Sequence, residues 1–457
     1  MPRKIVIIGA NAAGVHAANA TRKTDPEAKI TLIEKEPYPA YSRCGLPYVL
    51  AGEIPHFEDL TAFPPSHYRI MKFDLRLQTT VKSINAEDKT ALIEDKKGNS
   101  ETLEYDSLIL ATGAEPFVIP IEGHDLPGVF ALRTLDDGRA IQKAMKTAKN
   151  AVVIGAGFIG LETVYALVVN KIKTTLIEVV PYILPAIFDD DMADYAQKEI
   201  EKRGVRVVIG KRADAILGKD KVEGIRVGGE EIKADLVVMA AGIRPRTELI
   251  RELGVELGVT RAIRVNPRME TSVSGIFAAG DCVESQSSIT GLPCLYQLGT
   301  NAVRQGATAG TNAAGGYVAN PRVICSAVTK VFDFELGSVG LSEYQAAKVG
   351  FQTVSASITG RTRAPYFPGG KEIKVKIIAE PVLGRVMGAQ IIGGENVAQR
   401  INMISVAIQK EMTLLELSAA DTSYAPPVAE TLEPVALAAE IAAKKIRRRL
   451  AGTTFRR

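Results

Sequence analysis

The sequence predicts an α/β fold with two Rossmann-like dinucleotide-binding domains, followed by a separate α+β domain. Three observations support this prediction. A strand–glycine–helix–strand pattern occurs twice, two further strand ends run into glycine, and strand-rich segments take over after about residue 322. At 457 residues, the chain is long enough for two or three domains.

The first observation is an internal repeat. It reads IVIIGANAAG at 5–14 followed by ITLIEK at 30–35, and AVVIGAGFIG at 151–160 followed by TTLIEV at 174–179. Each copy indicates two parallel strands joined by a right-handed helical crossover. Glycines allow the tight first turn, and the N-terminus of the next helix can face a pyrophosphate. Two copies therefore predict two bound dinucleotides.

The glycines of the two copies differ at one position. The second copy keeps Gly155, Gly157 and Gly160, whereas the first has Gly9 and Gly14 with an asparagine at position 11. One such fingerprint alone is weak evidence, since many strand turns contain glycine. Its duplication, with a glutamate closing the second strand of each copy, favours dinucleotide binding.

Two further strand ends carry polar residues. The first runs into Ala111-Thr112-Gly113, and the second, which begins at Gly275, ends in Ala279-Gly280-Asp281. A structural turn would explain both. However, the carboxyl ends of strands in open α/β sheets are where ligands bind, and an aspartate there can accept a ligand hydroxyl. We therefore expect Asp281 to contact a ligand.

Composition excludes several classes of protein. The residues are 46% apolar and 24% charged, and the net charge of +4 suggests neither a nucleic acid nor an acidic polymer as partner. Cys44, Cys282, Cys294 and Cys325 form no CxxC pair, so we expect no disulfide scaffold and no metal site. A reducing cytoplasm fits this pattern. Neither an export signal nor an apolar run long enough for a membrane span is recognisable.

The last third of the chain predicts the α+β domain. Strand patterns cover Val328–Val339 and a hairpin-like pair, Ile373–Ile378 and Arg385–Ile392, and a helical pattern follows at 395–410. The chain then becomes basic. Lysines and arginines recur through Lys444, Lys445, Arg447, Arg448, Arg449, Arg456 and Arg457. Such a run is usually a solvated helix, and docking of a protein partner is the less favoured interpretation.

Together these features resemble the pyridine nucleotide:disulfide oxidoreductases over essentially the whole chain. The segment Tyr-Ser-Arg-Cys-Gly-Leu-Pro-Tyr around Cys44 is similar to the single-cysteine branch, and Val49 excludes the CxxxxC branch. The resemblance implies an FAD-binding domain at 1–115 and 246–322, an NAD(H)-binding domain at 116–245, and a C-terminal α+β dimerisation domain at 323–457 of a homodimer.

The resemblance also implies site residues. For FAD they are Gly9, Asn11, Ala12, Ala13, Gly14, Glu34, Lys35, Thr112, Gly113, Arg133 and Asp281. For the nicotinamide nucleotide they are Gly155, Gly157, Ile159, Gly160, Glu178 and Gly242. Glu178 favours NADH over NADPH. Cations for coenzyme A phosphates would come from His16, Arg22, Lys23 and Arg43.

Cys44 is the predicted redox sulfur. The reactive form of cysteine is the thiolate, so its pKa must fall, and we expect Arg43 and a helix beginning nearby to lower it. Peroxide-reducing and glutathione-type relatives need histidines that this chain lacks: position 12 is alanine, and no histidine follows His124. The resemblance instead points to Tyr366 and Tyr424, contributed from the partner subunit, as proton donors.

The favoured function is NADH-dependent reduction of a small disulfide, persulfide or polysulfide, coenzyme A-linked, through FAD and Cys44. No rhodanese domain follows, so a persulfide substrate would come from solution. One alternative is an NADH oxidase that reduces oxygen through a Cys44 sulfenic acid. An alternative of another class is the flavin subunit of a larger electron-transfer assembly.

Overall fold

The structure is a computed structural model that describes residues 1–454. Arg456 and Arg457 of the predicted basic run lie outside the described residues. The N-terminal strands are β1 (Lys4–Ile8), β2 (Lys29–Glu34), β3 (Phe73–Leu77), β4 (Thr79–Asn85), β5 (Thr90–Asp95), β6 (Ser100–Glu104), β7 (Ser107–Leu110) and β8 (Ala114–Pro116). The helices among them are α1 (Ala12–Thr24), α2 (Leu46–Leu50) and α3 (Pro65–Ile70), with 3-10 turns at Arg43–Gly45 and Phe57–Leu60.

The middle of the chain repeats the alternation of strand and helix. Its strands are β9 (Val129–Ala131), β10 (Asn150–Ile154), β11 (Lys173–Glu178), β12 (Arg206–Ile209), β13 (Ala213–Leu217), β14 (Gly224–Val227), β15 (Glu230–Lys233), β16 (Leu236–Met239) and β17 (Ile243–Pro245). Its helices are α4 (Leu135–Met145), α5 (Phe158–Val169) and α6 (Asp190–Glu201), followed by a 3-10 turn at Glu248–Ile250.

The remaining elements complete the first sheet and build the C-terminal domain. The strands are β18 (Ile276–Ala278), β19 (Ser285–Gln286), β20 (Pro293–Cys294), β21 (Ala327–Val331), β22 (Phe334–Gly340), β23 (Val354–Arg361), β24 (Glu372–Ala379) and β25 (Val386–Gly393). The helices are α7 (Gly299–Ala313), α8 (Glu343–Lys348), α9 (Val397–Gln409), α10 (Leu414–Ser418) and α11 (Pro434–Thr454).

Two parallel five-stranded sheets confirm the predicted α/β fold. The N-terminal sheet has the order β18-β7-β1-β2-β3, and the middle sheet has the order β12-β11-β10-β16-β9. Apolar runs fill their strands because helices and other layers cover both faces of a parallel sheet. In each sheet the repeated unit takes the same place: β1-α1-β2 in the first and β10-α5-β11 in the second.

Helix α7 packs against α1 and joins a late part of the chain to the N-terminal sheet. The Thr21 hydroxyl donates to the Gly310 carbonyl at 3.1 Å, and the Ser107 hydroxyl donates to the Ala313 carbonyl at 3.1 Å. Strand β18, which precedes α7 in the chain, pairs with β7. The N-terminal sheet is therefore built from two segments of the chain, one before and one after the middle sheet. The domain limits given above stay a prediction.

The C-terminal sheet is antiparallel, with the order β21-β22-β25-β24-β23. Strands β24 and β25 form the predicted hairpin pair, and α9 follows as predicted. Helices α9 and α11 cover one face and share a buried apolar core with the sheet. This is the α+β domain expected from the sequence.

A buried ionic cluster joins the C-terminal sheet to α6. The Lys376 ammonium lies 3.1 Å from Asp189, 2.7 Å from Asp191 and 2.7 Å from Glu343. Gln390 completes the cluster, because its amide donates to the Asp189 carboxylate at 2.7 Å. A buried lysine needs such partners, since an unpaired charge away from water is costly. The cluster fixes the middle unit against the C-terminal domain.

Within residues 1–454, no helix is long and apolar enough to cross a membrane. The same described residues contain no cluster of histidine, cysteine and acidic side chains suited to a metal ion.

Candidate active site

The first glycine turn leaves no room for side chains at two positions. Gly9 has φ +101°, and a Cβ there would lie 2.2 Å from the Ala111 carbonyl oxygen. A Cβ on Gly14 would lie 1.8 Å from the Gly9 carbonyl oxygen. Asn11 caps α1, its side chain accepting the Ala12 N–H at 2.8 Å. The departure from the fingerprint thus preserves the turn and adds a helix cap.

The second turn repeats this geometry. Gly155 has φ +105°, a Cβ on Gly160 would lie 1.9 Å from the Gly155 carbonyl oxygen, and Gly157 has open space around it. Open space at the middle glycine lets a ligand approach the backbone closely. Ile159 is the second residue of α5. Gly242 has φ +109° and stands directly before β17.

In both copies the glutamate at the end of the second strand binds the turn. Glu34 accepts the Ala10 N–H at 2.9 Å, and Glu178 accepts the Ala156 N–H at 2.8 Å. Glu178 is buried and also accepts the Val180 N–H at 3.2 Å. Each carboxylate is therefore held rigidly at the carboxyl end of its sheet, with lone pairs remaining for ligand hydroxyls.

A groove of about 670 Å³ opens beside the first glycine turn. Of the predicted residues, the lining includes Gly9, Asn11, Ala12, Ala13, Glu34, Lys35, Arg43, Cys44, Thr112, Gly113, Arg133 and Asp281. Sequence reasoning missed other lining residues, among them Val81, Lys82, Arg246, Leu249, Gln297 and Gly299. This volume lies within the range of small-molecule and cofactor sites.

An ion pair at one end of the groove involves two predicted residues. Arg133 and Asp281 are 2.8 Å apart, and both side chains are largely buried. Within the described residues, the buried Nε of Arg133 has no hydrogen-bond partner. Nearby, the Thr112 hydroxyl donates to the Arg246 carbonyl at 2.9 Å. The groove thus combines a turn that excludes side chains with an unsatisfied donor, which fits a polar dinucleotide cofactor.

Cys44 lies inside the 3-10 turn and its side chain is exposed, opening into the groove. The protein atoms around the groove partly desolvate the thiol and so raise its pKa, and the negative charge of Glu162 raises the pKa further. Arg133 opposes this shift. The expected lowering of the Cys44 pKa is wrong for the polypeptide itself, because desolvation and the charge of Glu162 raise the pKa more than Arg133 and a local backbone hydrogen bond lower it.

The predicted cations for coenzyme A phosphates are used in different ways. Arg43 pairs with Glu36 at 2.6 Å and also donates to the Arg133 carbonyl. The expectation that Arg43 lowers the pKa of Cys44 is therefore wrong, because its guanidinium is engaged by these partners. Arg22 donates to three backbone carbonyls. His16 contacts the Ala12 carbonyl at 2.8 Å, and Lys23 is exposed near the end of α1. Phosphate binding at these four positions stays a prediction.

The structure brings the two predicted tyrosines together. The hydroxyls of Tyr366 and Tyr424 are 2.8 Å apart, although 58 residues separate them in the chain. Their exposed fractions are 73% and 44%. In the part of the chain that the structure describes, neither lines the groove of its own protomer. The pair is therefore an outward-facing phenol couple on the C-terminal domain.

The second repeat lies directly behind the cysteine turn. Helix α5 contacts the end of α2, because the Asn170 amide donates to the Leu50 carbonyl at 2.9 Å and the Tyr165 hydroxyl bonds to Glu53. Glu162 of α5 accepts a hydrogen bond from Thr329. These contacts place the second glycine turn and Cys44 on adjacent elements.

The arrangement defines a class of protein: an oxidoreductase with two dinucleotide sites and a thiol beside the first. Comparisons identify it further. The model of the pyridine nucleotide-disulphide oxidoreductases matches residues 3–306, and the model of their dimerisation domain matches 326–436. The chain belongs to this family, whose cofactors, and so those of this chain, are FAD and NAD(H).

Similar proteins carry several activities in their names. An NADH oxidase of Methanocaldococcus jannaschii is 44% identical, covering 97% of this chain and 99% of its own. A CoA-dependent NAD(P)H sulfur oxidoreductase of Pyrococcus furiosus is 34% identical, covering 96% and 99%. A solved NAD-dependent persulfide reductase from A. fulgidus has a TM-score of 0.94 and 36% identity, covering 97% of this chain and 83% of its own.

Proposed function

We propose that the enzyme uses NADH to reduce a small disulfide, persulfide or polysulfide, linked to coenzyme A, at Cys44. The observation that carries the proposal is the position of Cys44, which opens into the groove beside the Arg133–Asp281 pair. The names of the Pyrococcus furiosus and A. fulgidus proteins support a sulfur acceptor.

The residues that would hold FAD are those of the first glycine turn together with Glu34, Arg133 and Asp281. Bound FAD supplies a carrier that takes hydride from NADH and passes an electron pair to sulfur. Gly9 and Gly14 keep the turn free of side chains, and the Arg133 Nε offers an unpaired donor to the cofactor.

Cys44 then acts as the nucleophile. Its thiolate attacks the substrate disulfide, one S–S bond breaks as another forms, and a thiolate leaves that needs a proton. The Tyr366–Tyr424 pair is suited to donate that proton, because a phenol is protonated at pH 7, and the hydrogen bond to Tyr424 raises the pKa of Tyr366.

The phenol couple would reach the substrate from the partner in a homodimer. The match to a dimerisation domain and the exposure of both tyrosines support this arrangement. The four free cysteines suit a reducing compartment such as the cytoplasm.

The test is NADH consumption by the purified flavoenzyme without oxygen. Coenzyme A disulfide, coenzyme A persulfide, polysulfide and glutathione disulfide are offered in parallel, with an aerobic reaction lacking acceptor. We expect a coenzyme A-linked acceptor to give the highest kcat/KM. The Cys44→Ser variant should keep FAD and lose sulfur reduction, whereas Cys294→Ser, outside the groove, should keep it. Equal or faster turnover of glutathione disulfide contradicts the coenzyme A link.

The second candidate function is an NADH oxidase, favoured by the name of the Methanocaldococcus jannaschii relative. In that case Cys44 would cycle through the sulfenic acid, with oxygen as the acceptor. The aerobic reaction separates the two: oxygen uptake that exceeds every sulfur reaction and that Cys44→Ser abolishes would establish the oxidase instead.

A further inference from the structure

Arg43 is tied to two other segments of the chain. Its guanidinium donates to the Glu36 carboxylate at 2.6 Å and, through a different nitrogen, to the Arg133 carbonyl at 2.9 Å. The Arg43 and Glu36 side chains are exposed by only 21% and 11%. The guanidinium carbon also lies 5.2 Å from the centre of the Tyr41 ring. Arg43 is therefore fixed on three sides, and it lines the groove itself.

The same network reaches the start of α4. The Tyr41 hydroxyl donates to the second oxygen of Glu36 at 2.7 Å and accepts the Leu135 N–H at 3.3 Å. The Glu36 carboxylate thus holds Arg43 and Tyr41 through separate oxygens. These bonds join the segment before the cysteine turn to the segment that leads into α4.

Arg133 connects this network to the cofactor side of the groove. Its carbonyl accepts the bond from Arg43, while its side chain pairs with Asp281 at 2.8 Å. Its backbone N–H donates to Asp137 of α4 at 3.1 Å, so the main chain of Arg133 is held in place. Cys44 follows Arg43 directly and borders the same groove. The bond from Arg43 to Arg133 therefore links the cysteine turn to the part of the groove that carries the ion pair.

The cysteine turn is weakly held by its own hydrogen bonds. Ser42 gives the 3-10 turn no side-chain cap, and the bond from the Gly45 N–H to the Ser42 carbonyl is long, at 3.3 Å. Hydrogen-bond geometry in 3-10 turns is generally poor. A side-chain tie such as that of Arg43 therefore has a large influence on where the residues of the turn stand.

We propose that Arg43 is a positioning residue that holds the Cys44 sulfur at a fixed place beside the Arg133–Asp281 pair. No bond forms or breaks at Arg43. A planar guanidinium presents its donors in fixed directions, so one side chain meets a carboxylate and a carbonyl at once, whereas a lysine ammonium is a single point charge. The inference rests on the proposed role of Cys44 as the reactive sulfur, and Arg43 acts through that sulfur.

The variants separate the tie to Arg133 from the buried charge pair. Arg43→Gln alone would leave the Glu36 carboxylate buried without its counter-charge, which destabilises a fold. The main variant therefore combines Arg43→Gln with Glu36→Gln and removes both charges. Glu36→Gln alone is the matched control, because its amide oxygen can still accept from Arg43 and the bond to Arg133 remains.

Arg139→Gln controls for the loss of an arginine from the same neighbourhood. Arg139 pairs with Glu58 at 2.8 Å, and its guanidinium carbon lies 5.0 Å from the centre of the Tyr38 ring. Among the described residues it is not part of the groove lining. Its replacement therefore removes the same kinds of contact without touching the cysteine turn.

The first measurement uses the FAD-loaded, oxidised protein without any sulfur acceptor. A thiolate in contact with oxidised flavin gives a long-wavelength charge-transfer absorbance, whose strength depends on the distance between sulfur and flavin. Each protein is titrated from about pH 7 to about pH 10.5, and Cys44→Ser gives the background. The amplitude per bound FAD at the end of the titration is compared, so a change in the thiol pKa alone does not alter the result.

The second measurement is hydrogen exchange in the peptide that contains Cys44. A hydrogen bond from a charged donor changes an opening equilibrium by about 10- to 100-fold, so exchange in the double variant should be faster by that factor. The third is turnover with coenzyme A persulfide. A misplacement of about 1 Å costs about 10²-fold in rate, so kcat should fall by about that factor while KM for the acceptor stays unchanged.

We expect wild type, Glu36→Gln and Arg139→Gln to share one charge-transfer amplitude and one exchange rate. The double variant should lose most of the amplitude, and Arg43→Lys should fall between, because an ammonium keeps the charge but not the fork. Wild-type amplitude and exchange in the double variant would overturn the inference. So would a raised KM at unchanged amplitude, since Arg43 would then bind substrate rather than position the sulfur.

Failure of the proposed function has a different appearance. In that case the amplitude would still depend on Cys44 and fall in the double variant, which supports the positioning role, but no sulfur acceptor would be turned over. A wild-type protein without any Cys44-dependent absorbance would overturn both, because it would show that the sulfur does not stand beside the flavin.

Discussion

Replacing Lys376 by methionine should destabilise the protein by about 3 kcal/mol. Removing one partner of a buried ion pair typically costs roughly 3 to 5 kcal/mol, because the other charge stays buried. Here Asp189 is the partner that remains enclosed, with a side-chain exposure of 7%, whereas Asp191 and Glu343 are exposed by 43% and 36% and can rehydrate. Asp189 also keeps its bond from Gln390. The lower end of the range therefore applies.

The destabilisation caused by Lys376→Met should depend on pH in a defined direction. Burial lowers the pKa of Lys376, but bonds to Asp191 and Glu343 and the charge of Asp189 outweigh it and raise the pKa above the ordinary 10.5. A raised lysine pKa contributes stability that is complete below the unfolded value and is lost as the pH rises through the folded value. The difference between wild type and variant should thus be constant from pH 7 to about 10 and shrink only at higher pH.

The assay is urea unfolding of the FAD-loaded protein, followed by circular dichroism at fixed protein concentration. Lys374→Met is the matched control on the same strand, since Lys374 contacts the Asp191 carbonyl and the Tyr195 ring at a partly exposed site. It should cost less than about 1 kcal/mol. If Lys376→Met loses no more stability than Lys374→Met, the cluster does not anchor the middle unit as argued.

Three further predictions concern the nucleotide sites and the dimer. Gly14→Ala should yield protein with little bound FAD, measured by flavin absorbance, because its Cβ would overlap a backbone carbonyl at 1.8 Å. Glu178→Arg should shrink the preference for NADH over NADPH in kcat/KM, since it removes a carboxylate that would repel a 2′-phosphate; an unchanged ratio argues against the role of Glu178. Mixing Cys44→Ser chains with chains carrying both Tyr366→Phe and Tyr424→Phe should give more activity than either variant alone. A mixture no more active than its parents would contradict a site shared between protomers.

The repeated glycine units were predictable because their signal is local. Gly14 and Gly160 are constrained by the carbonyls of Gly9 and Gly155, a few residues earlier in the sequence. The same pattern places Glu34 and Glu178 at the strand ends. Cys44 was found by its surrounding motif. The groove position of Arg246, in contrast, depends on segments far apart in the chain, and no local pattern marks it.

The electrostatic environment was the least predictable part of the site. Arg43 is adjacent to Cys44 in sequence, yet its guanidinium pairs with Glu36. Glu162, which lies far from Cys44 in the sequence, raises the pKa of the thiol. Its hydrogen-bond partner, Thr329, is a further 167 residues along the chain. A pKa depends on burial and on neighbours in space, so adjacency in sequence gave the wrong sign for Cys44.

The pairing of β18 with β7 has a consequence for biosynthesis. Until Ala278 leaves the ribosome, β7 presents an unpaired edge and α1 lacks the helix that covers it. The middle sheet needs only residues through Met239, so it can finish folding earlier, although it interrupts the N-terminal sheet. Unpaired strand edges in partly synthesised chains invite wrong pairing. During translation of residues 240–313, the nascent chain therefore carries a folded middle sheet beside an N-terminal sheet that is still incomplete.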